Sequence, residues 1–327
     1  RRMAASKLMV DVDTDYLTGV PEVQVRPDRE RAAEQGVSMD VAVVIVTFES
    51  REYIAGCLAS LQDGQEGPRI IVVDNASRDG TPQLIRERFP AVTLITSPRN
   101  VGFAAGVNRA VGECADARFV FLVNPDSLVI PNAVPLMLAF AEEHPEVGIL
   151  GPRVFEDPEC RRVYPSCRQF PRLTTALFSN RSVLTRLFRW NRFSRFYLYQ
   201  GEDLSRPRSV DWVSGCAMFV RRLVLEGIGP FDEGFFFFCE DIDFCWRAHK
   251  AGWKVMYYPE ASVVHFRAKS AERVPYRALV AKHRSMVRLY KKHIRRTVLT
   301  DPLVLAGGWV RLSLLLGREA LRRQPPS

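Results

Sequence analysis

Three apolar runs dominate the chain: VAVVIVTF from Val41, RIIVVD from Arg69 and FVFLV from Phe119. Each is too short for an ordinary helix and rich in β-branched or aromatic residues, so each reads as a strand buried on both faces. Between them, Tyr53 to Leu61 and Phe103 to Val111 have helical spacing, and Asp79-Gly80-Thr81-Pro82 opens another helix, with Thr81 as N-cap and Pro82 at its first position. Ala91 to Thr96 adds a short strand. Strands alternating with helices at this spacing predict right-handed βαβ units and a parallel sheet covered on both sides, a nucleotide-binding type of architecture.

After Pro131 the pattern predicts a helix to about Glu143, then the strand VGILGPRVF. From Val163 to Pro207 arginines (Arg181, Arg186, Arg189, Arg192, Arg195) interleave with aromatic and leucine side chains. That mixture suits an interfacial helix or lid, or equally an amphipathic helix packed on the sheet. DWVSGCAMFV, Asp211 to Val220, reads as one strand containing a glycine. In FDEGFFFFCEDIDFCWR, four phenylalanines precede a helix whose first turn carries Glu240, Asp241 and Asp243. VMYYPEASVVHF is a last strand ending at His265.

Charge changes the reading of the C-terminal segment. The net charge is +9, yet Arg267 to Ser327 holds fifteen Lys/Arg against three Asp/Glu, so the basic excess belongs to this tail. Arg284, Arg288, Lys291 and Arg295 fall on one side of a predicted helix, opposite Leu279, Met286, Tyr290 and Ile294. Leu303 to Leu316 is nearly all apolar but short for a bilayer span. It suits lying in an anionic membrane surface, with a packed hairpin as the competing reading. Seven cysteines without a CxxC pair read as reduced cytosolic thiols, and no signal peptide is visible.

The chemistry concentrates at strand ends. Asp126, in Asn124-Pro125-Asp126, follows a buried strand at the carboxyl edge of the sheet, where open α/β folds bind ligands. The acids beside Phe235 to Phe238 lie in apolar surroundings, which raise a carboxyl pKa and suit a general base or a metal site. A lone His at a strand end is more often structural.

Together VVIVTFES, VVDNASRDGT, NVGFAAGVNRA, LVNPDS, DWVSGC, FDEGFFFFCEDIDFCWR and VVHF, in this order, resemble the inverting family 2 glycosyltransferases, within the bacterial rhamnosyltransferase group. VYPSCRQFP also resembles the actinobacterial enzymes that move rhamnose from dTDP-rhamnose to a polyprenyl-diphospho-N-acetylglucosamine. The resemblance implies an A-type fold: α/β, with a Rossmann-like, mostly parallel sheet and a C-terminal helical extension. It implies that Thr47, Phe48, Glu49, Asp74 and Asn75 line the nucleobase and ribose pocket, with Ser77 and Asp79 shaping the turn. Asn100, Gly102, Phe103, Gly106 and Asn108 would close over the donor, their glycines allowing close backbone approach. Asp126 and His265 would hold Mg²⁺ or Mn²⁺ on the donor diphosphate, with Asn124 where many relatives carry a further aspartate. Asp241 would be the catalytic base. Trp212, Ser214, Gly215, Glu240, Asp243 and Arg168 would meet the acceptor, Trp212 by stacking on a sugar and Arg168 through a phosphate.

The resulting map has a flexible or vector-derived leader (1–38) and a catalytic domain (39–267) divided at residue 130 into donor and acceptor halves. A basic membrane-association extension (268–327) completes it. The enzyme is expected in the cytoplasm, peripheral at the inner face of the cell membrane. A soluble acceptor is the alternative, the tail then serving a homodimer. A nucleic-acid-binding protein would need a recognised module beside the basic tail, and none is visible. A dead sugar-nucleotide binder is opposed by the intact Asp126, Asp241 and His265.

Overall fold

The computed structural model describes residues 9–15, 22–27, 40–62, 68–172, 192–199, 201–266, 275–295 and 297–322. Strands β1 (Met9–Asp15) and β2 (Glu22–Pro27) pair antiparallel in a sheet of their own. The leader, expected to lack regular structure, thus contains a hairpin, whose signal is the period-two alternation of Val10, Val12, Val23 and Val25 with polar residues.

The main sheet begins with β3 (Val41–Thr47), β4 (Arg69–Asp74), β5 (Thr93–Thr96) and β6 (Phe119–Val123), all parallel in the order β6-β3-β4-β5. Alternate side chains of these strands enter two separate cores, as the pleat requires. Val41, Val43, Ile45, Phe119 and Phe121 pack with Ile54, Cys57 and Leu58 of α1 (Arg51–Leu61) and Ile85 of α2 (Thr81–Arg88). Ala42, Val44, Val46, Val120 and Leu122 pack with Ala104, Val107 and Ala110 of α3 (Phe103–Gly112). Both faces are covered, as the unbroken apolar runs predict. Thr81 is the first residue of α2 rather than its cap; Gly80, at φ 86°, stands before it.

β7 (Ser127–Val129), α4 (Ala133–Glu143) and β8 (Val147–Phe155) follow. β9 (Val163–Tyr164) pairs with β8. Of the arginine-rich stretch, residues 173–191 and 200 lie outside the described residues, and only α5 (Arg192–Tyr197) is a helix. The segment DWVSGCAMFV is two strands, not one. β10 (Cys167–Arg168) pairs with β12 (Trp212–Val213), β11 (Arg208–Ser209) lies antiparallel against Met256 and Tyr257 at the edge of the main sheet, and β13 (Ala217–Arg221) enters that sheet antiparallel to both β6 and β8. The turn Ser214-Gly215-Cys216 between them lies at the carboxyl edge of β6, where Asn124 N–H donates to the Cys216 carbonyl. α6 (Arg222–Ile228), α7 (Glu240–Lys250) and β14 (Lys254–His265) complete the domain. β14 runs parallel to β8 and then pairs with β7, bringing His265 opposite Ser127.

The C-terminal extension is α8 (Pro275–Leu289), a π-helical turn (Tyr290–Ile294) and α9 (Asp301–Arg322). α9 is one continuous helix through Gly307 and Gly308. It packs on α8, burying Leu312, while Trp309, Val310 and Leu314 are exposed. Among the described residues no helix is long and apolar enough to cross a membrane. The predicted basic face is partly spent: Arg288 and Arg295 pair with Asp232 and Asp301.

Candidate active site

The carboxyl ends of β3, β4 and β6 and the last residue of β14 meet along one edge of the sheet. Five of the nine buried side-chain atoms without a hydrogen-bond partner among the described residues lie along that edge, Thr47 Oγ1, Asp74 Oδ1, Asn75 Oδ1, Ser127 Oγ and His265 Nδ1, and a sixth, Glu240 Oε2, belongs to the first turn of α7. Buried polar groups are normally paired, and a row of exceptions marks a surface built to meet a polar ligand.

At the β3 and β4 end, Ser77 and Asp79 shape the turn as expected. The Ser77 Oγ accepts from the Glu49 N–H, Asp79 accepts from the Arg51 and Thr81 N–H groups, and Glu49 Oε1 accepts from the Arg78 N–H. Phe48 is half-buried beside them. Asn75 Nδ2 donates to the Gly102 carbonyl at 3.0 Å, leaving its oxygen for a ligand. Asn100 Oδ1 accepts from the Gly102 N–H, tightening the entry to α3.

The glycines act differently from expectation. Gly102 has φ 90°, and a Cβ there would stand 2.5 Å from the Phe236 carbonyl oxygen. That carbonyl accepts from the Phe103 N–H at 3.0 Å, so the close approach is to the aromatic loop rather than to a ligand. Gly106 likewise admits Val46 of β3. Asn108 is engaged within the fold. Its amide clips Phe231, donating to the carbonyl at 2.9 Å and accepting from the N–H at 2.9 Å, and so ties α3 to the loop before α7.

Asp126 and His265 converge. His265 Nε2 stands 3.2 Å from Asp126 Oδ1 and 3.3 Å from Asn124 Nδ2, and the Phe266 N–H donates to the Asp126 carbonyl. Adjacent ligands on an octahedral ion with bonds of ~2.1 Å stand about 3 Å apart, so the pair fits two neighbouring positions on such an ion. Among the described residues no group of three or more His, Cys, Asp or Glu gathers that could hold a metal. The remaining ligands would have to come from water and a bound diphosphate.

Across the site, Asp241 lies in the first turn of α7. Its Oδ2 accepts from the Gly215 N–H at 3.0 Å and its Oδ1 from the Ile242 N–H at 2.8 Å. Burial pushes its pKa above the ordinary aspartate range, while these two N–H groups and the Arg168 charge pull back. Neighbouring Glu240 is pushed up further, by burial and by the Asp241 charge. Both carboxyls are thus held above their ordinary ranges by burial, and the two N–H groups and Arg168 favour charge on Asp241.

Two acceptor-side residues, Trp212 and Asp243, are engaged elsewhere, and Arg168 is held among rings. Trp212 is 5% exposed, donates from Nε1 to the Gln169 carbonyl and lies under the Arg168 guanidinium, so it has no face for a sugar. Arg168 sits among the rings of Tyr164, Tyr197 and Trp212 and donates to the Tyr164 hydroxyl and the Pro165 carbonyl; its charge acts on Asp241. Asp243 is fully buried, and both its oxygens are taken by Arg247, Lys292 and His293, leaving none for an acceptor hydroxyl. Ser214 remains half-buried at the turn. Phe236, 47% exposed beside Gly102, is the aromatic face available here; its place in the Phe235–Phe238 run did not distinguish it from fully buried Phe235.

The family profile described as "Glycosyl transferase family 2" matches residues 42–228. The N-acetylglucosaminyl-diphospho-decaprenol L-rhamnosyltransferase of Mycobacterium tuberculosis is 33% identical over 293 residues, covering 86% of this chain and 94% of that protein. Rhamnosyltransferase WbbL of Escherichia coli is 26% identical, covering 69% of this chain and 83% of that one. Among solved structures, the mannosyltransferase PcManGT from Pyrobaculum calidifontis, in complex with GDP-Man and Mn2+, superposes with a TM-score of 0.53 at 17% identity, covering 87% of this chain and 80% of that one. The family profile and these relatives make the chain a sugar-transferring enzyme. The chain belongs to glycosyl transferase family 2.

Proposed function

We propose that the enzyme transfers L-rhamnose from dTDP-L-rhamnose to a polyprenyl-diphospho-sugar, with inversion, in cell-envelope polysaccharide synthesis. The observation that carries the chemistry is Asp241, its two carboxyl oxygens held by the Gly215 and Ile242 N–H groups across the sheet edge from Asp126 and His265. The donor and acceptor rest on the rhamnosyltransferase that shares 33% identity over most of both chains.

In this reading, Thr47, Asp74 and Asn75 offer their unpartnered atoms to the nucleoside, and Phe48 and Glu49 border it. Asn100, Gly102 and Phe103 shape the loop over the donor. Asp126 and His265, with Asn124 beside them, would hold Mg²⁺ or Mn²⁺. A divalent ion there supplies Lewis-acid stabilisation of the departing nucleoside diphosphate. Asp241 removes the proton of the acceptor hydroxyl as that oxygen attacks the anomeric carbon, with no covalent enzyme intermediate. Glu240, whose buried Oε2 has no partner among the described residues, would hydrogen-bond the acceptor beside Asp241, with Ser214 and Gly215 at the turn opposite.

The enzyme works at the inner face of the cell membrane. The exposed Trp309, Val310 and Leu314 and the basic tail support contact with an anionic lipid surface.

A panel of dTDP-, UDP- and GDP-sugars, scored by thermal shift with Mg²⁺ or Mn²⁺ and then by product mass with a short-chain polyprenyl-diphospho-N-acetylglucosamine, tests the assignment. Stabilisation and product with dTDP-rhamnose are expected. Stabilisation by UDP-sugars alone would overturn the donor.

A further inference from the structure

The segment carrying Asp241 is gripped from outside the catalytic domain. Lys292, in the π-helical turn after α8, bridges two carboxylates: its Nζ lies 2.6 Å from Asp232 Oδ2 and 2.7 Å from Asp243 Oδ1. Asp232 opens the aromatic loop, Asp243 lies in the first turn of α7, and Asp241 lies between them. His293 fixes the same end. Its side chain is 2% exposed, its Nε2 is 2.7 Å from Asp243 Oδ1, and its ring stacks on Trp246 with centroids 4.8 Å apart.

The rest of α8 holds the loop from the same side. Arg288 forms a bidentate pair with Asp232, and its guanidinium occupies the space a side chain at Gly234 would need. The Ser285 hydroxyl donates to the Phe237 carbonyl at 2.9 Å, and the Lys282 ammonium lies over the Phe238 ring.

The loop needs such support. Phe238 and Cys239, the two residues before α7, have φ of 68° and 69°. Consecutive non-glycine residues in the left-handed region are costly and persist where their surroundings over-determine them. The π turn is itself informative. Adding a residue to one helical turn brings Lys292 and His293 together onto Asp243, and such insertions gather at functional sites.

We infer that Lys292 and His293 are positioning residues for the catalytic base, so that the C-terminal extension is part of the transfer machinery and not only an attachment to a surface. They act through Asp243 and Asp232, which close the Asp241 segment at both ends. The same loop reaches the donor side, because the Phe236 carbonyl receives the Phe103 N–H. The grip on Asp241 and the entry to α3 are therefore one connected structure.

The inference rests on the proposed role of Asp241, and its test has an arm that needs no turnover. Full-length Lys292→Met, His293→Ala and the double variant are compared with the parent by amide hydrogen exchange and by kinetics. Exchange over residues 235–243 should quicken while β3, β4 and β6 keep parental protection. The double variant should lose about ten- to a hundredfold in kcat, the scale of a small misplacement of a reacting group, with donor KM within about twofold. His293→Gln, which retains a donor toward Asp243, should recover most of the loss caused by His293→Ala. Parental exchange and parental kcat in the double variant would overturn the inference. So would faster exchange throughout the domain with kcat and donor KM impaired together and no recovery by Gln, since that pattern marks a strut of the fold. If the parent transfers no sugar from any donor, the functional reading fails, and the exchange arm alone decides this one.

Discussion

At the residue scale, the site separates two adjacent carboxylates by environment. Asp241 has two backbone N–H donors and the Arg168 charge, whereas Glu240 Oε2 is buried with no partner. Because burial raises the Asp241 pKa, the base is lost by protonation at a pH above the ordinary aspartate value of about 4, and the acid limb of kcat/KM should lie there. Arg168→Met removes a charge that favours the anion, so the limb should move to higher pH; a limb that stays put would detach Arg168 from the base. Asp126→Ala and His265→Ala should each raise the metal concentration needed for half-maximal activity. A variant with parental metal dependence would exclude that residue from the site.

Local sequence placed Asp126 after the strand it follows and set Glu240, Asp241 and Asp243 together against four phenylalanines; the choice of Asp241 among the three came from the family resemblance. The partners of Asp243 were not legible there. Lys292 and His293 lie about fifty residues downstream, and nothing near Asp243 distinguishes a residue facing the site from one facing the extension. Trp212 misled for a related reason. A tryptophan beside a catalytic turn suits sugar stacking, but pairing of β10 with β12 puts Arg168 across its ring.

At the element scale, the strands and helices of the first half followed directly from their apolar runs, because parallel strands covered on both faces leave no polar interruptions. The reversed strand β13 did not. Its apolar residues look like those of β6 and β8, and its direction depends on where the Ser214-Gly215-Cys216 turn sends the chain. That turn delivers the Gly215 N–H to Asp241, so the division of DWVSGCAMFV bears on the proposed base. The carboxylates that dock α8 are shifted in the opposite direction to Asp241. Burial opposes ionisation of Asp232, but hydrogen bonds from Lys292, Arg288 and the Gly234 N–H outweigh it and hold the pKa at about 2. For Asp243, burial is likewise outweighed by His293, Lys292 and Arg247. Groups with depressed pKa stabilise the fold above their unfolded value and lose that contribution as pH falls through the folded one. Acidification from about 4 to about 2 should therefore loosen α8 from the aromatic loop. Hydrogen exchange or limited proteolysis of the extension across this range checks it, and unchanged protection would count against these ion pairs.

At the scale of the whole molecule, the extension presents two faces. One, through Ser285, Arg288, Lys292 and His293, grips the loop that carries the base; the other exposes Trp309, Val310 and Leu314. Flotation with vesicles containing anionic lipid should carry the full-length protein. Substituting Trp309 and Leu314 by Ser should leave it in the aqueous fraction with the fold intact, and flotation undiminished by these changes would show that the exposed stripe serves another contact.

The central claim is that Asp241 accepts the acceptor's proton in a single displacement. Its most direct test is Asp241→Asn, which keeps the shape of the side chain while removing the carboxylate. With donor, acceptor and metal saturating, product formation measured by mass should fall by about 10²- to 10⁴-fold with nucleotide affinity retained. Turnover near that of the unaltered enzyme would contradict the account.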